Sequence, residues 1–392
     1  MDFRLTPAEE RFQREVHDWL VANLPAGWGT PAHRKPEEPA EKVRFARWWQ
    51  RRLFEGGWAG LHWPREYGGR GATPVEQFLF AEEYTRVGAP PMIDVGVGPA
   101  LVGPTLIHHG TEAQKQRFLR PILTGEEIWC QGFSEPNAGS DLAACRTRAE
   151  LRGDVFHVTG QKIWTSYARF ADWCILVTRT DPQAPKHRGL TFLLVDMKSP
   201  GIMIRPLVEM TGVAWFNEVF FDDVRVPRAQ MVGGLDEGWQ IAITTLAHER
   251  AGSAPHARIA GEMRDVLALA RRLGRTGHRE LRQRLAQSFI ETEIVRLIAW
   301  KQVTEVMRRG QPGPEGSYLK LLWSETDQRM KELATDLEGP YAALARGSAH
   351  APDGGRWEYE YLWSRAASIY AGTSEVQRNV IAQRVLGLPR GI

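Results

Sequence analysis

Between Glu126 and Pro227 the hydrophobic period of this chain changes, and that change constrains its fold more than any other feature. The runs DVFHVTG, DWCILVTR, LTFLLVDM, IMIRPLV and NEVFFDDVRV are rich in β-branched and aromatic residues and are separated by turn sequences such as RGD and PKHRG. Frequent alternation between tight turns predicts an antiparallel sheet. On both sides the period is helical. TPAE at 6–9 reads as a helix start with Pro7 at the first helical position and Glu9 at the third, after which Phe12, Val16, Trp19 and Leu20 share a face. Thr111, with Gln114 three residues on, is another start, and periodic segments near 41–55 and 74–87 flank the Gly/Pro-rich 56–71. Residues 25–39, with four prolines, read as a surface connection. After Gly238 helical periodicity lasts to the end, with long segments near 280–309 and 317–337 parted by GQPGPEG. The expected fold is α+β: an N-terminal α-helical domain over 1–125, a middle antiparallel β-domain over 126–230 and a C-terminal α-helical domain over 231–392.

Composition narrows the function classes. A chain of 392 residues can bury a large core and exceeds the usual single domain. Fifty basic against 47 acidic residues leave a net charge of +3, too balanced for a protein that tracks a phosphate backbone, so no nucleic-acid partner is expected. Cys130, Cys145 and Cys174 are odd in number and outside any CxxC or Cys/His pattern, which suggests neither a disulfide framework nor a zinc site; no metal is expected. Met1 to Leu20 carries Asp2, Glu9, Glu10, Glu15 and Asp18 without an apolar run, and no stretch approaches the roughly 20 apolar residues that cross a bilayer. The expectation is a cytoplasmic enzyme without a membrane partner.

Two blocks within the β segment carry chemistry. In CQGFSEPNAGSDL, 130–142, the Ser134 hydroxyl and the Pro136 turn precede Ala138, Gly139 and Ser140, whose small side chains let a ligand approach the backbone. In GQKIWTS, 160–166, Trp164 offers an aromatic plane and Ser166 a hydroxyl two residues on, on the same face of a strand. Such a pair suits an isoalloxazine ring. Near the C-terminus Gly372, Thr373 and Ser374 introduce the helical pattern Val376, Val380, Ile381, Val385, so Thr373 sits at a helix N-terminus, where unpaired N–H groups attract phosphate.

With FDDVRVP at 221–227, HER at 248–250 and IYAGTSEVQRN at 369–379, these blocks follow the order found in the acyl-CoA dehydrogenases, which the chain resembles along almost its whole length. The resemblance implies FAD, an acyl-CoA substrate, a C-terminal four-helix bundle and an electron-transfer flavoprotein as acceptor. It also implies that Phe133, Ser134, Trp164, Thr165 and Ser166 hold the flavin ring. Thr373 and Glu375 would contact the dinucleotide, and Ser140 with its neighbours would line the pantetheine channel.

The family's commonest base is a Glu in Tyr-Glu-Gly-Thr, whereas this chain has Tyr370, Ala371, Gly372 and Thr373. Ala371 cannot take a proton, yet its N–H can still stabilise the enolate oxygen. A minority of the family carries the base in a Leu-Glu-Arg-like context, matched here by His248, Glu249 and Arg250. Helical spacing puts Glu249 on the stripe of Ala242, Leu246 and Ser253, an apolar and small face that would raise its pKa. Glu249 is thus the expected base, Arg250 is grouped with the substrate and His248 is read as structural. The glycine loop that many members use to reach a neighbouring subunit's FAD is replaced by LEGPYAAL, 337–344. The pattern looks most like actinobacterial enzymes of sterol side-chain breakdown, some of which pair with a related subunit; a homotetramer or a heterotetramer is implied. A flavin oxidase or monooxygenase on the same fold, and a non-catalytic partner subunit, are the alternatives.

Overall fold

The computed structural model describes residues 4–30, 33, 35–36, 38–92, 96–252, 254–310 and 313–389, without the side chains of 249–252. In chain order the helices are α1 (Pro7–Asn23), α2 (Pro39–Glu55), α3 (Pro74–Val87), α4 (Gly103–His109) and α5 (Glu112–Thr124). The strands follow: β1 (Trp129–Gly132), β2 (Arg148–Arg152), β3 (Val155–Ser166), β4 (Trp173–Arg179), β5 (Leu190–Asp196), β6 (Ile202–Leu207), β7 (Phe216–Pro227) and β8 (Met231–Val232). Then come α6 (Gly238–Gly252), α7 (Pro255–Arg272), α8 (Arg279–Arg309), α9 (Gly316–Glu338), α10 (Arg356–Ser364) and α11 (Ser374–Val380).

Both helix starts read from the sequence are closed by reciprocal caps. The Thr6 N–H donates to Glu9 Oε2 at 2.7 Å, and the Glu9 N–H donates back to Thr6 Oγ1 at 3.3 Å. Thr111 and Gln114 make the same exchange at the head of α5, at 3.0 and 3.2 Å. Gly125, left-handed at φ 71°, ends α5 where a side chain would be strained.

The chain divides into two compact units. One comprises Trp19–Thr73 and Ala89–Gly252. Its sheet has the order β6-β7-β3-β2-β4-β5-β8, with β1 attached to β4. Pairing is antiparallel except for β1 with β4 and the single pair Arg148 with Arg179. The parallel β1 is four residues, WCQG, too short to show a period. Phe156, Val158, Leu176, Leu193, Val219 and Val224 form the sheet's core, and Cys130 and Cys174 lie among them as free thiols. Arg47 of α2 is tied to Asp172 at 2.9 Å, and Asp172 accepts the N–H of Ile128 ahead of β1.

The other unit comprises Met1–Asp18, Pro74–Gly88 and Ser253–Ile392. Here α7, α8 and α9 pack around Met263, Leu269, Leu285, Met330 and Leu337, with Trp357 of α10 closing the cluster. A second cluster joins Phe78 of α3 to Val295, Ala299 and Trp323. Between α7 and α9 sits a charge network centred on the buried Lys331 and Asp327, with Arg258 at its more exposed edge. Lys331 donates to Asp327 at 2.7 Å and to Glu262, while Arg258 bridges the same two carboxylates at 3.1 and 2.9 Å.

Candidate functional site

The turn SEP and the strand GQKIWTS, separated in sequence, are locked together by a buried ion pair. Lys162 of β3 is fully buried and donates to Glu135 Oε1 at 2.8 Å and to the Phe133 carbonyl at 3.0 Å. Glu135 also accepts the N–H groups of Arg146 at 2.6 Å and Thr147 at 2.9 Å. Burial alone would raise the Glu135 carboxyl, but Lys162 and these donors hold it below its ordinary value. The Ile163 N–H donates to the Ser134 carbonyl at 2.9 Å, so Ser134 is fixed one residue from the lock. Gly160 is required beside it, because a Cβ there would come within 2.6 Å of Thr147 Cα.

Trp164 stands where β3 and β7 lose register, between Lys162 and Thr165. Its backbone is left-handed, φ 61°, costly for a residue with an indole, and the residue is 57% exposed, its ring 5.8 Å from that of Phe216 in a T-shaped pair. A bulge re-aims a side chain, and this one turns an aromatic face out of the sheet. Thr165 points inward, its Oγ1 buried without a partner, while its carbonyl accepts from Asn217 at 3.0 Å. Ser166 is half-buried. Phe133 is buried, its ring 5.9 Å from that of Phe192 and nearly perpendicular to it, and its carbonyl accepts from Lys162. Ser140 lies in an exposed turn, beside the open space at Gly139 and the surface pair Asp141–Lys186.

In the other unit Ala371 also adopts a left-handed backbone, φ 52°. The buried Gln377 of α11 donates to the Ala371 carbonyl at 2.9 Å and to that of Gly372 at 3.2 Å. With its carbonyl pinned, Ala371 leaves an N–H that makes no hydrogen bond among the described residues. Thr373 caps α11 by accepting the Val376 N–H at 3.2 Å, Glu375 in the first turn is exposed, and the Ser374 hydroxyl is buried without a partner. The replaced loop at 337–344 is a tight turn over Gly339–Ala343 with Tyr341 exposed.

Helix α6 carries Glu249 and Arg250, whose side chains, with all of Ser253, lie outside the described residues. Of the expected stripe, Ala242 is buried and Leu246 half-buried. His248 packs its ring on His108 of α4, centroids 5.3 Å apart at 20°. Burial and the neighbouring His108, His62 and His109 push its pKa down to about 4.

These features fit a flavin dinucleotide. An aromatic face is presented outward by a strained residue, the hydroxyl of Ser166 follows two positions on, and a turn with an open glycine precedes both. Sequence reasoning missed Lys162 and Glu135. A signal existed: Lys162 lies in phase with Phe156 and Val158 on the core side of its strand, where a lysine demands a partner.

Residues 6–126, 130–224 and 236–386 match the models of the acyl-CoA dehydrogenase N-terminal, middle and C-terminal domains. The chain is 41% identical over 391 residues to the acyl-CoA dehydrogenase IpdE1 of Mycobacterium tuberculosis, covering 97% of this chain and 98% of that one. It is 33% identical to the acyl-CoA dehydrogenase FadE29 of the same organism, covering 98% of each. Among solved structures the Tcur3481-Tcur3483 steroid ACAD superposes with a TM-score of 0.86 at 32% identity over 100% of both chains. The ChsE4-ChsE5 complex from Mycobacterium tuberculosis does so with 0.85, also at 32% identity over 100% of both.

Proposed function

We propose that this chain, which belongs to the acyl-CoA dehydrogenase family, oxidises the Cα–Cβ bond of a bulky, ring-bearing acyl-CoA to the trans-2-enoyl-CoA, with Glu249 as base. It is an oxidoreductase and FAD is its cofactor, which when bound supplies the acceptor for the β-hydride at N5. The backbone of Phe133 and the side chains of Ser134, Trp164 and Ser166 hold the ring. Thr165 contributes through its backbone, since its side chain faces inward. Thr373 and Glu375 meet the dinucleotide, and Ser140 and Arg250 meet the substrate.

Removing the α-proton leaves charge on the thioester oxygen, and the chain must offer a donor there. The Ala371 N–H is that donor, aimed by the left-handed backbone and by Gln377; this unpaired N–H is the observation that carries the reading. Glu249, carried on α6, receives the proton from the substrate Cα. The ring-bearing substrate class is supported by likeness to the neighbour named a steroid ACAD, and likeness to the ChsE4-ChsE5 complex supports a heterotetramer with a related subunit over a homotetramer. Electron-transfer flavoprotein is the proposed acceptor. We place the domain limits at 1–125, 126–230 and 231–392, and the enzyme in the cytoplasm; no described helix is long and apolar enough to cross a membrane.

A non-catalytic partner subunit is the second reading, favoured by the absent carboxylate at Ala371. Anaerobic flavin bleaching by straight, branched and ring-bearing acyl-CoAs decides between them. Glu249→Gln is expected to keep the yellow colour and bind acyl-CoA while flavin reduction falls by about 10²- to 10⁴-fold. Reduction at the wild-type rate in that variant overturns the base assignment, and rapid reoxidation of the reduced wild type by air would point to an oxidase.

A further inference from the structure

The end of β3 that carries Trp164 holds one residue more than its partner strand. Lys162 pairs with Val219 of β7 and Thr165 with Asn217, so Ile163 and Trp164 together stand opposite the single residue Glu218. The insertion has two consequences. The Ile163 N–H goes to the Ser134 carbonyl, at 2.9 Å, and Trp164 turns outward in its left-handed conformation. Tyr167 is left-handed as well, φ 55°, its N–H donating to the Trp215 carbonyl at 3.0 Å. Thr165 and Ser166 are thus held between two strained residues. Period two gives an inserted residue no fixed place, because moving it by one position along β3 would exchange the faces of Trp164 and Thr165.

Asn217 supplies the pin. It is fully buried opposite Thr165, and its Nδ2 donates to the Thr165 carbonyl at 3.0 Å and lies 3.5 Å from the Trp215 carbonyl. Only a donor can face a carbonyl oxygen, which settles the end of the amide that points there. The residue lies in phase with Val219 and Phe221 on the core side of β7, so it does not itself reach a ligand outside the sheet.

Stability alone disfavours an asparagine in that place. Its Oδ1 and the neighbouring Thr165 Oγ1 are both buried and make no hydrogen bond among the described residues. Unmet buried oxygens cost free energy, and a valine would fill a core-facing strand position without that cost. What a valine lacks is a donor that reaches the main chain of the next strand at the point of insertion.

We propose that Asn217 is a positioning residue for the flavin: by holding the Thr165 carbonyl it fixes the inserted residue in register, and so sets the Trp164 indole and the Ser166 hydroxyl against the ring. The proposal rests on the reading that Trp164 lies on the flavin.

The test reads the cofactor instead of turnover. An indole stacked on an isoalloxazine quenches its fluorescence, so the fluorescence of bound flavin reports where Trp164 stands. The variants are Asn217→Leu, close in volume, and Asn217→Ser, too short to reach the carbonyl, each loaded with FAD, with the partner subunit if one is required, alone and combined with Trp164→Phe. Both are expected to keep the far-ultraviolet dichroism of wild type, to raise the fluorescence of the bound flavin, and to release FAD about tenfold faster, the worth of one buried hydrogen bond. In the Trp164→Phe background they are expected to add nothing to the fluorescence, because the two residues act as one unit. A rise of equal size with and without the indole overturns the proposal, as do unaltered fluorescence and release in both Asn217 variants. Failure of both to fold overturns it too, by making Asn217 a determinant of the whole sheet. If Trp164→Phe by itself leaves the flavin as dark as in wild type, the placing of Trp164 fails and the inference falls with it; a rise there without one in the Asn217 variants defeats the inference alone.

Discussion

Ala371 and Trp164 share an uncommon property, a left-handed backbone on a residue that is not glycine, and each bears on the proposed chemistry. Strain of this kind persists only where the surroundings over-determine it, at about 1–3 kcal/mol each. At Ala371 the surroundings are Gln377 and its two carbonyl bonds. Proline cannot adopt φ 52°, so replacing Ala371 by proline would distort the turn as well as delete the N–H. For Trp164 the expected result of Trp164→Ala is weakened FAD retention, read as faster loss of flavin absorbance on gel filtration, with an unchanged far-ultraviolet dichroism spectrum. Full retention in that variant contradicts its place against the ring. Lys162→Met should act differently. It leaves the Glu135 carboxylate buried beside two backbone donors with no cation, at a cost of roughly 3–5 kcal/mol in urea denaturation. Adding Glu135→Gln should recover part of that loss, because the amide oxygen still accepts one of the two N–H groups. A Lys162→Met variant as stable as wild type would show that the pair does not hold the cradle.

At the scale of elements, α7 and α9 are joined by charge inside an otherwise apolar interface. Burial would raise the Glu262 carboxyl, but Arg258 and Lys331 outweigh it and lower its pKa from 4.5 to about 2. A carboxyl whose folded pKa lies below its unfolded one contributes stability that is complete above the unfolded value and is lost as pH falls through the folded one. The helical unit is therefore expected to lose stability progressively between pH 4.5 and about 2, visible as a falling urea midpoint. Glu262→Gln should flatten that slope, and an unchanged pH profile in the variant would remove Glu262 from the account. The bulge in β3 belongs to the same scale. Period two anticipated the strand, but the register loss at Trp164 follows from pairing with β7, about fifty residues further on, which no local pattern announces.

For the whole molecule, α8 exposes Phe289, Ile290, Ile294 and Leu297, between 41% and 52% each, along one stripe. Apolar residues at helical spacing on a surface mark an interaction face more often than a solvated one. Light scattering is expected to show an oligomer, alone or with a co-expressed relative. Ile290→Asp with Leu297→Asp should shift it to a smaller species, and an unshifted mass would place the interface elsewhere.

Much of this protein was legible in the sequence, and the reason is locality. The caps at Thr6 and Thr111, the limits of α3, α8 and α9, and the strands between Glu126 and Pro227 follow from bonds and periods spanning a few residues, which composition and spacing record directly. The flavin blocks were readable because each is contiguous and their order is that of a known family. Tertiary structure alone decided the rest. It paired Lys162 with Glu135 across 27 positions, pinned the Ala371 carbonyl with Gln377, and stacked His248 on His108 across a separation of α4 from α6 that leaves no periodic trace. The neighbours of His248, and hence its lowered pKa, are set by the packing of distant helices; the order of residues states only that the imidazole exists.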